Sequence, residues 1–518
     1  MALTLRPYQE EAIERIVQRG NLLLALTMGA GKTATAIVAI RRLRRQRRVR
    51  SGVVFALKST KYQWAHEISV WDPRARVQVV DGDKLRRTSQ IRNAHKYEYS
   101  ILHYETLVND WQAIRKWLPI DFIIADEVTM LKGFTAKRSK NAKSMAPYAG
   151  IRIGLSGQPV ENRPEELFSI MEFIDKDVLG GFHRFDRTFI ERDHWGKPKR
   201  YKNLPLIGKV MGESMYRKSR EDIAEWLPDM IEIPMPIELD EPTMKLHDLV
   251  KQDLANAIDL ALTMGSTGTF DVMSHYGRTE QMDAKGLMGQ VMARMLAMRM
   301  LSSHPRLLRL SADAFDTELS RWGSQYASDL KAAGMLDNLP ATTAKLDALL
   351  EHVEEILDED PRHKVVVFSY FKPMLAMIGA ELGKMKIPWV KITGDVSAKE
   401  RYAHIQRFNS DPMLRVFLSS DAGAYGVDLN QGSHLICYDL PWSAGALSQR
   451  ISRIDRTNSA FDQIVIGYMY GAGTIEERMF NMLLQKRAIS KAFIDGDFDP
   501  RSGVLNLDLE SLRDFLAA

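Results

Sequence analysis

Leu26-Thr27-Met28-Gly29-Ala30-Gly31-Lys32-Thr33 stands between an apolar run, Leu22 to Leu26, and an alanine-rich stretch, Ala34 to Ile40. That order reads as strand, glycine-rich loop, helix. Glycines in such a loop let backbone N–H groups turn inward toward phosphates, and the new helix directs the positive end of its dipole at them. Lys32 is placed to reach β- and γ-phosphates, and the Thr33 hydroxyl to hold Mg²⁺. Leu26 stands where the strict pattern asks for glycine, so on their own these eight residues also read as an ordinary glycine-rich turn.

The rest of the chain bounds the reading. Its 518 residues, 45% hydrophobic and 26% charged, suit two to four globular domains with full cores. A net charge of +5 permits nucleic-acid binding without requiring it. The one cysteine, Cys437, excludes an intrachain disulfide and a cysteine zinc cluster, and fits a reducing compartment. No long uncharged apolar run is present, and Met1 to Gln9 lacks the apolar core of a signal peptide. The expectation is a soluble protein of the cytoplasm with no membrane partner.

Short β-rich runs alternate with helical stretches in two separate regions. Leu22–Leu26, Val53–Leu57, Ser100–Tyr104, Phe122–Asp126 and Arg152–Ser156 make the first set. Val365–Ser369, Val390–Thr393, Arg415–Ser420, His434–Asp439 and Ile464–Tyr470 make the second. Buried parallel sheets flanked by helices follow from that pattern. The fold class expected is therefore α/β, with two parallel-sheet lobes at residues 1–175 and 345–490, a mainly helical insertion at 176–344 and a tail helix within 491–518. Met288, Met292 and Met295 recur at helical spacing inside the insertion and read as bundle core rather than as a partner surface.

Phe122-Ile123-Ile124-Ala125-Asp126-Glu127 is an apolar strand ending in two carboxylates. A solvated strand end would look the same in isolation. Beside a phosphate loop, however, Asp126 suits the coordination shell of Mg²⁺, and Glu127 suits orienting and deprotonating an attacking water. In Gln449-Arg450-Ile451-Ser452-Arg453-Ile454-Asp455-Arg456, Arg453 and Arg456 share one face if the segment is helical. Two guanidinium groups on one face can spread over a γ-phosphate and offset transition-state charge, an effect worth ~10³–10⁵ in rate. Gln449 opens the run and joins them as a catalytic candidate. Fingers carried by one lobe and acting on ATP held by the other make hydrolysis depend on lobe closure.

Further segments continue the pattern in order. Leu5-Arg6-Pro7-Tyr8-Gln9, Trp64-Ala65-His66-Glu67-Ile68, Tyr104-Glu105-Thr106-Leu107 and Leu155-Ser156-Gly157-Gln158-Pro159-Val160-Glu161-Asn162 fall in the first region. Tyr201-Lys202-Asn203-Leu204, Arg217-Lys218-Ser219-Arg220-Glu221-Asp222, Leu227-Pro228, and Arg299 with His304-Pro305 fall in the middle. Thr393-Gly394-Asp395, Phe408-Asn409, Gly423-Ala424-Tyr425-Gly426-Val427-Asp428-Leu429, Tyr438-Asp439 with Trp442, and Thr474-Ile475-Glu476-Glu477-Arg478 fall in the second. Together with the phosphate loop, the acidic pair and the arginine run, this series resembles the superfamily 2 helicase-like ATPases, and within them the Swi/Snf-type DNA translocases. The middle segments resemble the bacterial and annealing-helicase-like branch.

The resemblance implies two RecA-like lobes with ATP and Mg²⁺ between them. It puts Arg6 and Gln9 at the adenine, Met28, Gly29, Ala30, Gly31, Lys32 and Thr33 around the phosphates, and Gly426 and Asp428 at the nucleotide from the second lobe. It also implies DNA running across both lobes, held by its backbone. Candidate contacts are Lys58, Lys61, Lys132, Lys372 and Ser420 near strand ends, with Lys199 and Arg200 in the basic, aromatic-bearing stretch His194 to Lys202. Departures from the family pattern are Thr129 for a usual histidine, Asp428 for asparagine, Ser452 for aspartate and the interrupting Pro164. The arginine cluster from Arg41 to Arg50 is expected well away from the cleft, since the helix recedes from the phosphates by about 1.5 Å per residue.

The function expected is a DNA-dependent ATPase that tracks on double-stranded or forked DNA as a monomer and remodels DNA or protein–DNA complexes. Alternatives are a fork-unwinding or strand-annealing helicase, and an ATP-gated DNA-binding subunit of low turnover within a larger assembly with protein partners. The first motif stands near the start and the last near the end, which reads as a bare motor of bacterial or phage source.

Overall fold

The apolar runs of the first region lie side by side as parallel strands. The computed structural model describes residues 4–157, 164–192, 194, 198–263, 286–317, 323–421, 427–495 and 513. β1 (Asn21–Leu26), β2 (Gly52–Ala56), β3 (Val77–Val79), β4 (Tyr99–His103), β5 (Phe122–Ala125) and β6 (Ile151–Leu155) join one sheet. A hairpin of β7 (Ile190–Arg192) and β8 (Pro198–Tyr201) follows, and then β9 (Met215–Lys218) returns to pair with β1. The sheet order is β3-β4-β2-β5-β6-β1-β9, with every pairing parallel.

Alternate residues of these strands feed two separate cores. Leu23, Val53, Phe55 and Ile123 enter one; Leu22, Leu24, Val54 and Ile124 enter the other. The side-chain period of two turns one continuous apolar run into two buried faces, each covered by helices. Helix α1 (Pro7–Arg19) packs on α2 (Lys32–Arg45), and α3 (Lys61–Trp71) lies beside α2.

The second sheet has the order β10-β15-β14-β11-β13-β12 and is again parallel throughout. Its strands are β10 (Asp229–Ile237), β11 (Val365–Phe368), β12 (Trp389–Ile392), β13 (Val416–Ser419), β14 (His434–Cys437) and β15 (Gln463–Gly471). Each of the ten strands expected from sequence is present within one or two residues of its expected ends.

The stretch 176–344, expected to be mainly helical, also contributes a strand to each lobe's sheet. β9 completes the first sheet and β10 edges the second, so the crossing between lobes falls between Lys218 and Asp229. Both strands were illegible for physical reasons. β9 is four residues long with two cations, and β10 carries Pro234 and Pro236, which only an edge strand tolerates. The helices Glu241–Thr263, Leu287–Ser303, Pro305–Asp316 and Gln325–Ala332 share one continuous core with the second lobe. Met295 is fully buried and Met292 packs against that core, while the side chain of Met288 lies outside the described residues. Arg299 anchors this packing, with its guanidinium donating to Leu440 O at 2.7 Å between the rings of Tyr370 and Trp442. The expected tail helix Leu509 to Leu516 lies outside the described residues, Arg513 apart. Among the described residues, no helix is long and apolar enough to cross a membrane.

Candidate active site at the lobe interface

The loop after β1 and the acidic pair after β5 meet at the carboxyl edge of the first sheet, where parallel strands leave room for a ligand. Gly31 caps α2 in the left-handed region (φ 74°), and no side chain caps the helix. The first N–H groups of α2 therefore face the loop unclaimed by a helix cap. Lys32 folds back, donating from Nζ to Leu26 O (3.0 Å) and Thr27 O (3.1 Å). Burial of the amine pulls its pKa down to about 8, against the raising influence of Glu127 and Asp126. Arg456 and Arg453 push it down further from the other lobe. The Thr33 hydroxyl has no hydrogen-bond partner among the described residues.

Asp126 is oriented by Trp64, whose Nε1 donates to Oδ2 at 2.8 Å, while the Tyr104 hydroxyl donates to Asp126 O at 2.6 Å. Burial raises the Asp126 pKa, opposed by the Trp64 bond and the Lys32 charge. Glu127 adopts φ 48°, ψ 59°, a left-handed conformation that costs a non-glycine residue roughly 1–2 kcal/mol. Thr129 follows within the short 3₁₀ turn Val128–Leu131.

The second lobe closes directly onto this loop. Thr457 N and Oγ1 donate to Gly29 O at 3.5 and 3.3 Å, and Arg6 Nη2 donates to Thr457 O at 3.4 Å. A Cβ on Gly29 would stand 2.2 Å from Asp455 O, so glycine is what permits the approach. Arg453 Nη1 and Arg456 Nη2 both donate to Val427 O (3.2 and 3.0 Å). Arg456 Nε faces Asp428 Oδ1 at 3.8 Å; both atoms are buried and lack a hydrogen bond. Glu67 sits by the same pair, its pKa raised by burial and by Asp428 and held back in part by Arg456. Arg220 Nε and Nη2 engage Asp455 Oδ2 and Oδ1 at 3.0 and 3.3 Å, bridging the lobe crossing to the segment that carries the arginines.

Several placements correct the sequence reading. The helix of the arginine run ends at Ile451, so Arg453 and Arg456 share no helical face. They converge because the chain turns out of the helix, Arg453 O accepting from Leu429 N, and both reach back to Val427 O. Gln449 is half-buried at the end of that helix, its carbonyl accepting from Arg453 Nε at 2.7 Å. Gln9 is spent partly inside the chain: its Oε1 accepts from Arg6 N at 2.8 Å and its Nε2 donates to Ala30 O at 3.1 Å. It braces the loop, with one amide hydrogen and one lone pair left for a base. Met28 is half-buried over Gly157, where a Cβ would meet its Cγ at 2.7 Å.

Lys61 is buried and paired with Asp81 at 3.1 Å, and Ser420 is also buried, so neither presents itself to a DNA backbone. Lys58, Lys132 and Lys372 remain at the surface beyond the carboxyl ends of β2, β5 and β11; Lys132 lies 3.7 Å from Glu166 and Lys372 2.7 Å from Asp395. Gly426 and the side chains of Lys199 and Arg200 lie outside the described residues. In the arginine cluster, Arg42 pairs with Glu10 and Arg44 with Asp72, and Arg41 donates to Trp71 O, which ties α2 to its neighbours. Sequence reasoning missed the partnerships Trp64–Asp126 and Arg220–Asp455. Each residue stood inside a quoted motif, but no spacing rule connects positions so far apart in the chain.

Two RecA-like lobes, a lysine-bearing phosphate loop with an acidic pair on one, and paired arginines presented by the other define the class of helicase-like ATPases. A SNF2-related domain matches residues 8–296, more than half of the chain, and a helicase conserved C-terminal domain matches residues 344–458. The chain belongs to the SNF2-related family.

It is 23% identical over 545 residues to the CHD3-type chromatin-remodeling factor PICKLE of Arabidopsis thaliana, covering 99% of this chain and 35% of that protein. It is 23% identical over 527 residues to the DNA repair and recombination protein RAD54B of Mus musculus, covering 95% and 56%. The chain thus spans between about a third and just over half of the length of these relatives. Among solved structures, the Hef helicase domain of Pyrococcus furiosus shares the fold with a TM-score of 0.52 at 18% identity, covering 92% of this chain and 98% of that one.

Proposed function

We propose that this chain is a DNA-dependent motor that hydrolyses ATP between its lobes, translocates on double-stranded DNA as a monomer and remodels DNA or protein–DNA complexes. One observation carries the reading: Gly29 of the phosphate loop touches the backbone of the segment bearing Arg456, and both arginines act electrostatically on Lys32. A nucleotide held there is contacted from both sides, so its hydrolysis and lobe closure are one event. The relatives' names, a chromatin-remodeling factor and a DNA repair and recombination protein, support DNA as the track.

The donor set fits a triphosphate with a hard cation. Arg456 Nε, 3.8 Å from Asp428 and making no hydrogen bond, can turn to an anion, the start of α2 is uncapped, and the Thr33 hydroxyl and Asp126 carboxylate are oxygen ligands of the kind Mg²⁺ takes. Mg²⁺ there would neutralise charge on the β- and γ-phosphate oxygens. Lys32 leaves its two carbonyls for those phosphates. Trp64 keeps Asp126 turned toward the loop. Glu127 takes the proton of the attacking water, and Arg453 with Arg456 stabilises the charge that develops on the departing phosphate. Lys58 and Lys132 on one lobe and Lys372 on the other supply backbone grips that alternate as the lobes open and close.

The test is steady-state ATP hydrolysis with duplex DNA, single-stranded DNA, forks and RNA, with Lys32→Ala as control. Duplex or forked DNA is expected to stimulate most, and Lys32→Ala to abolish turnover. Full activity without any polymer would contradict the motor reading. Strand displacement on forks would favour an unwinding helicase, and DNA binding with near-zero turnover an ATP-gated binding subunit.

A further inference from the structure

At the opposite edge of the second sheet, two histidines and a glutamate from distant parts of the chain converge. Glu359 ends the helix Ala344–Glu359, His363 lies in the turn that enters β11, and His434 opens β14. Val365 pairs with His434 across the sheet, so all three sit at the amino ends of these strands, a strand length (about 13 Å) from the edge that faces the nucleotide. One ligand atom from each lies within 4.8 Å of the other two. The imidazole rings meet edge to face, 4.9 Å between centroids, with Phe461 against His363 on one flank.

Hydrogen-bond partners engage Nδ1 of both rings. Ser433 Oγ gives its single proton to Lys364 O at 3.1 Å and accepts from Lys364 N at 3.1 Å. His434 Nδ1 lies 2.9 Å from that oxygen and pairs with it. His363 Nδ1 lies 3.2 Å from the carbonyl of Ile356. Neither Nε2 has a hydrogen-bond partner among the described residues, and Glu359 Oε2 lies 3.8 Å from His363 Nδ1. A ring nitrogen fixed by a carbonyl or hydroxyl, with the other left bare, is the support that metal-bound histidines use. The turn itself is held by Arg415, which donates to His363 O at 3.0 Å and Asp360 O at 2.6 Å.

We infer that Glu359, His363 and His434 form a binding site for a borderline first-row divalent cation, with Zn²⁺ the expected occupant. Two imidazoles and one carboxylate suit Zn²⁺ in preference to Mg²⁺ or Ca²⁺, which take oxygen ligands. Tetrahedral ligation needs ligand atoms about 3.4 Å apart. Exposed Glu359 and half-buried His363 can close that gap onto buried His434, and water completes the shell. The ion would clip the end of the Ala344–Glu359 helix to the sheet. That is a structural role in the second lobe, separate from the nucleotide chemistry and independent of the proposed function.

The experiment uses the full chain without an affinity tag, stripped with a chelator and free of nucleotide, titrated with ZnCl₂ by calorimetry and with CoCl₂ by visible absorption. Uptake of one equivalent is expected, with the intense cobalt bands of a tetrahedral site and a rise in the thermal midpoint on adding Zn²⁺. His363→Ala and Glu359→Gln are expected to weaken binding by at least about tenfold and to abolish the rise. The metal-free midpoint of Glu359→Gln should match that of the parent, and the rise of each variant is read against its own metal-free midpoint. Asp126→Asn should leave the uptake unchanged. No saturable uptake, or equal uptake by the parent and both variants, would overturn the assignment.

Discussion

Lys32 shows how much one residue's surroundings decide. Its amine is enclosed between two backbone carbonyls, and its pKa falls to about 8 because burial outweighs the attraction of Glu127 and Asp126. Phosphate binding needs the ammonium. Above about pH 8 the free protein must take up a proton to bind ATP, because the bound polyanion restores the charged form. ATP affinity is therefore expected to be flat below that pH and to weaken above it by up to about tenfold per unit. Nucleotide titrations from neutral to alkaline pH check this, and an affinity that stays constant through that range would contradict the assigned protonation.

At this scale the sequence was legible wherever chemistry and local spacing coincide. Lys32, Thr33, Asp126 and Glu127 were assigned from runs of a few residues, and the structure brings them to one edge. It was illegible where a residue's environment decides. Lys61 looks like any lysine beyond a strand end, yet its stem is buried and its amine is taken by Asp81. Gln9 reads as a base contact, yet half of its amide's capacity holds the loop.

Among the elements, long apolar strands announced themselves, because a strand buried on both faces needs a continuous run of β-branched and aliphatic residues. β9 and β10 carry no such run; their places are set by neighbouring strands. The ends of helices were equally opaque. The arginine run has helical spacing, but the regular helix stops at Ile451; turn bonds such as Asp455 N to Ile451 O carry the chain on, and both arginine side chains reach Val427 O.

One element-scale contact invites a direct test. Lys345 of the Ala344–Glu359 helix meets Glu476 of the helix Ile475–Asp495 at 2.5 Å, and both side chains are fully buried. Glu476 also accepts from Gly471 N at 3.1 Å. Lys345→Met would strand the carboxylate and is expected to cost about 3–5 kcal/mol near neutral pH. Burial raises the Glu476 pKa even with its partner present. Without the lysine it rises further, and a carboxyl whose folded pKa is raised loses stability as pH climbs through that value. The variant's denaturant midpoint should thus recover as pH falls toward the ordinary carboxylate range. A deficit that does not change with pH would argue against a stranded charge.

For the whole molecule, the lobes are joined by contacts that sequence could not foresee, since each links positions hundreds of residues apart. Arg220 lies in the crossing between the sheets and holds Asp455, the neighbour of Arg456. Its place makes it a positioning residue for the arginine pair. Arg220→Ala is expected to lower kcat about tenfold with little change in KM for ATP. Arg220→Lys should restore only part of that rate, because a lysine lacks the two-pronged grip. A change confined to KM would assign Arg220 to nucleotide binding instead.

The central claim is that one nucleotide is clasped between Lys32 on the first lobe and Arg453 with Arg456 on the second. The most direct measurement is duplex-stimulated ATP turnover of Arg456→Ala, with ATP affinity measured in parallel. Turnover is expected to fall ~10³-fold or more while ATP binding is largely kept, since the finger acts on charge that develops only in the transition state. Turnover within a few-fold of the parent would show that the second lobe's arginines do not serve the nucleotide bound by the first.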